Sequence, residues 1–103
     1  MATLDQIAYI LLTERLKNLQ MDARSQKRNR ADSRFMGVCD GLAMAGIGNM
    51  EGHCHGQILM VEVNRALTHA GPPRWIEDRD HYPAYLARAS EHLLTRIKRV
   101  EDT

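Results

Sequence analysis

The stretch GNMEGHCHGQI, residues 48–58, sets His53, Cys54 and His55 in a row between glycines, with Cys39 a short way upstream. Thiolates and imidazoles are zinc ligands, and Cys39, Cys54 and a histidine would make most of a tetrahedral site. The spacing argues against it. Zinc modules offer ligands in close pairs such as C-x2-C or H-x3-H, and neither pattern is present. On a helix, His53 and His55 diverge by about 200°, so both cannot point at Cys39. A nucleophilic cysteine would need an exposed thiolate and a positioned base, and the histidines flanking Cys54 point away from it. His69, His81 and His92 are scattered at spacings that assemble nothing. No glycine loop of the P-loop or dinucleotide type is present. The chain reads as non-enzymatic, with no cofactor and no metal, and a zinc-binding helical protein stands as a second alternative.

What places the cysteines is a helical hairpin. Phe35, Val38, Cys39 and Leu42 recur at helical spacing, and so do Cys54, Ile58 and Val61, together with Leu59, Val63, Ala66 and Leu67. Between them, AGIGN offers Gly46 or Gly48 as a left-handed C-cap and Asn49 as an N-cap for the next helix. A turn centred on Gly46 and Ile47 would pair Cys39 with Cys54 and Phe35 with Ile58. The preferred reading makes the two thiols small core fillers; a redox-linked disulfide would need their Cα atoms within about 7 Å. Gly52 and Gly56 would let a neighbouring backbone approach closely.

The remaining elements follow the same periodicity. Thr3 and Gln6 form a capping-box pattern ahead of an apolar stripe, Leu4 to Leu19, so a first helix is expected from about Leu4 to about Met21. The second stripe, from Ala31, lies about 180° from the first, which calls for a break between Leu19 and Ala31. Gly71, Pro72 and Pro73 stop the third helix. A fourth starts near Pro83, with Leu86, Ala89, Leu93, Ile97 and Val100 as its stripe. No convincing strand is visible. The expected fold is all-α: a single helical domain, residues 1–103, built as a small four-helix bundle around a central antiparallel hairpin.

The 103 residues carry a formal net charge of +1, so no global field draws the protein to nucleic acid or membrane. The N-terminus lacks a basic signal-peptide region, no run is long enough to span a bilayer, and two cysteines suit reduced thiols in a cytoplasm. Charge is local instead. Arg24, Lys27, Arg28, Arg30 and Arg34 form a basic segment suited to an acidic partner or to phosphates. Arg24 and Arg28 extend the apolar meridian of Phe35, with Glu62 and Glu51 as candidate acidic neighbours. Arg74 and Trp75 lie in PPRWIEDRDHYP, and these residue types dominate interface hot spots, although Trp75 would also serve to plug the bundle's open end.

By elimination, the expected function is non-enzymatic protein binding, with another protein as partner and a second copy of the chain as one candidate. An accessory or inhibitory role is a class expectation for short helical proteins, such as those of phages and mobile elements, acting on a host complex. The alternative is a nucleic-acid-binding module using residues 24–34. The candidate partner-binding residues are Arg24, Lys27, Arg28, Arg30, Arg34, Arg74 and Trp75.

Overall fold

The structure, a computed structural model, describes residues 3–49, 56–71 and 82–99. In order these form α1 (Leu4–Leu19), α2 (Gln26–Met44), β1 (Ile47–Asn49), α3 (Gly56–Ala70), α4 (Tyr82–Leu94) and β2 (Ile97–Arg99). The helices pack as a small all-α bundle, with α3 between α2 and α4 and with α1 seated mainly on α4.

Helix α1 starts where its capping box dictates. The Gln6 amide donates to Thr3 Oγ1 at 3.1 Å, and the Thr3 amide donates to Gln6 Oε1 at 2.9 Å. The expected break is present, because α1 ends at Leu19 and Ser25 opens α2 by accepting from the Arg28 amide at 3.0 Å. Gly46 ends α2 with φ 89°, and Gly71 follows α3 with φ 148°, conformations that side chains with a Cβ rarely adopt.

The core is a leucine-rich layer. Leu11, Leu12 and Leu16 of α1 meet Leu59 of α3 and Leu86 and Leu93 of α4, all at most 2% exposed. Each such side chain contributes about 1.5–3 kcal/mol on leaving water. Tyr85 is buried with them; its hydroxyl donates to the Leu67 carbonyl at 2.7 Å, and Arg88 Nε donates to the Ala70 carbonyl at 3.2 Å. These bonds satisfy carbonyls that the last turn of α3 leaves without helical partners.

Several expectations are corrected. Two strands are present: β1 and β2 pair antiparallel, Ile47 opposite Arg99 and Asn49 opposite Ile97. Asn49, expected as a helix cap, is a ladder residue. Ile97 belongs to β2, since α4 ends at Leu94 with a turn before the strand, yet it stays buried at 1%. Leu19, Val38 and Val61, assigned to apolar stripes, are 39%, 52% and 46% exposed. The hairpin register also differs. A midpoint at Gly46 and Ile47 would set Asp40 near residue 53, whereas Asp40 lies against Gly56, because β1 lengthens the connection. Gly56 does allow the close approach expected of it: a Cβ there would stand 2.5 Å from the Asp40 amide nitrogen and 2.6 Å from its Cα. Cys54, His53, His55, Gly52 and Val100 lie outside the described residues, as do Glu51, His81, Arg74 and Trp75.

Candidate functional site

The basic segment divides into two groups on α2. Arg28 turns inward, its side chain 13% exposed, and its Nε donates to Asp32 Oδ1 at 3.0 Å. The same carboxylate receives Arg15 Nη1 from α1 at 2.7 Å, while Arg15 Nε reaches Asn64 Oδ1 on α3 at 2.8 Å. Arg15 also lies over the Phe35 ring, 5.6 Å from its centroid. One guanidinium thus joins three helices, and the expectation that Glu62 neutralises Arg28 is replaced by Asp32, four residues along the same helix. Partial burial pushes the Asp32 carboxyl up, but the hydrogen bonds and charges of Arg28 and Arg15 outweigh it and hold the group below its usual range. Glu62, 3% exposed, takes Arg65 of its own helix at 3.2 Å and Arg96 at 3.3 Å.

Arg24, Lys27, Arg30 and Arg34 face water, and among the described residues none of them has an ion pair. Arg30 Nη2 donates to Gln26 Oε1 at 3.5 Å. Lys27, Asn29, Arg30, Ser33 and Arg34 line a shallow surface concavity without a carboxylate.

A different surface opens where α1 and α2 diverge. It is a groove of about 480 Å³ floored by Leu11, Ala31 and Phe35. Its banks carry Ile10 and Val38, which are 54% and 52% exposed. Glu14 and Lys17 at the edge pair with each other at 3.5 Å, which leaves Arg34 as the rim's uncompensated charge. Sequence periodicity does not reveal this groove, because it counts Val38 as core and cannot show how widely two helices separate.

Cys39 is fully buried, and burial, aided by the negative charge of Asp40 and opposed by Arg15, pushes its thiol up to about 11. At neutral pH it is a protonated core side chain, as expected of a filler and unlike a nucleophile. Among the described residues no three His, Cys, Asp or Glu side chains cluster so as to hold a metal ion. No described helix is long and apolar enough to cross a membrane.

The histidines are not all scattered. His69 and His92 stack with ring centroids 4.2 Å apart, and His92 Nε2 is buried without a hydrogen-bond partner. Burial lowers the His92 pKa below the ordinary 6.5, as do the neighbouring charges of His69, Arg96 and Arg65, while Glu62 acts in the opposite direction. The unfolded chain therefore takes up this proton first as the pH falls. The stabilisation is complete above 6.5 and declines below it. Urea midpoints measured between about pH 7.5 and 5.5 should fall with acidification, and the fall should be reduced in His92→Gln. An unchanged slope in the variant would place the acid sensitivity elsewhere.

No family model matches the chain, and neither does any curated protein or solved structure.

Proposed function

We propose that this chain is a small non-enzymatic protein-binding module whose α1–α2 groove receives an amphipathic helix of a partner protein, with a carboxylate of that helix set against Arg34. The observation that carries this reading is the groove itself. An apolar floor of Leu11 and Phe35 lies open between Ile10 and Val38, both more than half exposed, beside a cation with no ion pair among the described residues. Grooves between two helices are a recurring seat for the apolar face of a third, and an unpaired rim charge favours a partner of opposite sign. Within this proposal the role is accessory or inhibitory, of the kind met in phage or mobile-element proteins that act on a host complex. The setting is a cytoplasm, where Cys39 stays a thiol.

The test is retention of partners from nuclease-treated lysate of the source organism, comparing the wild type with Val38→Glu and with Val61→Glu, an exposed apolar residue on α3. A protein retained by the wild type and by Val61→Glu, but reduced at least about tenfold by Val38→Glu, supports the reading. Retention indifferent to Val38→Glu overturns it. A wild-type dimer that light scattering finds monomeric as Val38→Glu would assign the groove to a second copy of the chain.

A further inference from the structure

We propose that the outer face of α2 around Lys27, Arg30 and Arg34 binds the phosphate backbone of a nucleic-acid duplex without reading its bases. This surface adjoins the groove, and Arg34 lines both. Positions 27, 30 and 34 fall within an arc of about 60° on the helix and span about 10 Å of its axis. Over that length one strand of a duplex presents about three phosphates. All three side chains face water without an ion pair among the described residues, whereas Arg28 of the same helix and Arg15 of α1 are both engaged by Asp32. The fold thus neutralises its inner arginines and leaves the outer cations open.

The surroundings choose among anionic partners. Asn29 and Ser33 share the concavity with the three cations, and no carboxylate lines it. Amide and hydroxyl donors between basic side chains are the usual contacts to phosphate oxygens. No aromatic or large apolar side chain lines it either, so it offers no platform for stacking unpaired bases, no wedge for a membrane surface, and no aromatic anchor for a protein interface. The first turn of α2 holds no acidic residue. Lys27 and Arg28 therefore stand at the positive end of the helix dipole, where an anion is favoured.

Fluorescence anisotropy of a labelled DNA duplex of about 20 base pairs, titrated at several salt concentrations, tests the assignment. Three phosphate contacts give an expected log K against log salt slope of about −2.7. Lys27→Gln combined with Arg30→Gln leaves the groove and Arg34 in place. It should reduce the slope to about −0.9 and weaken binding at least about tenfold at 50 mM salt. Both side chains are exposed, so the variant should keep the wild-type circular dichroism and melting temperature. An RNA duplex should bind comparably, since phosphates alone are contacted. Absence of wild-type binding at low salt, or a slope unaltered in the double variant, overturns the proposal. So does displacement of the duplex by polyglutamate at equal charge, which would assign the surface to an acidic protein.

Discussion

Gly56→Ala should destabilise the protein by about 2–3 kcal/mol, although alanine is the better helix former by about 1 kcal/mol. The added methyl would stand 2.5 Å from the Asp40 amide nitrogen and 2.6 Å from its Cα. Those are backbone atoms, and α2 cannot swing them aside as it would the end of a lysine. Relief requires α2 and α3 to separate, which loosens the contacts of Cys39 and Leu59 in the core. Gly37 and Gly41 supply the internal comparison. Nothing lies within 4 Å of a Cβ built at either position, so Gly37→Ala and Gly41→Ala should each stabilise by about 0.5–1 kcal/mol through helix propensity alone. One substitution at three helical glycines should therefore give two signs, readable as shifts of the urea midpoint. A neutral Gly56→Ala would mean that α2 and α3 pack less closely than the approach of Gly56 to Asp40 requires.

Arg15→Ala should be the more damaging of the charge deletions, at about 2–4 kcal/mol. Its side chain is 9% exposed and Asp32 is 34% exposed, which places the loss below that of a fully enclosed pair. The substitution takes one of two arginines from Asp32, leaves Asn64 Oδ1 without its donor, and strips the Phe35 ring of its covering guanidinium. Set against a total stability of roughly 5–15 kcal/mol for a domain of this size, that is a large fraction. Arg15→Lys should not restore it, because a single ammonium cannot reach Asp32 and Asn64 in the fork geometry of a guanidinium. Arg28→Ala, which removes a partner of Asp32 from its own helix, should cost about 1 kcal/mol. A double-mutant cycle of Arg15→Ala with Asp32→Asn measures the coupling directly and should give about 1–3 kcal/mol. A coupling near zero would make the pair a by-product of packing.

How much of this the sequence carries depends on the range over which each interaction acts. The capping box at Thr3 and Gln6, the break after Leu19 and the left-handed Gly46 are signalled by residues within a few positions of one another. The stripes of α1 and α4 likewise report which faces are buried. Strands β1 and β2 escape notice because three residues such as Ile47, Gly48 and Asn49 are too few to show an alternation, and their pairing partners are remote in the chain. The same holds for the stacking of His69 on His92 and for the reach of Arg15 to Asn64, which only helix packing brings about. The basic segment was visible as composition. Its division into an inward Arg28 and outward Lys27, Arg30 and Arg34 follows from the direction of Asp32. Arg74 and Trp75, read as candidate partner residues, lie outside the described residues.

The pairing of β1 with β2 also orders events during synthesis. Helices draw on neighbours a turn away, whereas a contact between distant segments waits for the later one and must first close the intervening loop. Asn49 finds its partner only when Ile97 has emerged. Until then the end of α2 has no ladder to anchor it, and the seam between α2 and α3 is held by Gly56 against Asp40 and by the side chains around them. The ribbon thus clasps the segment that follows α2 to the segment that follows α4.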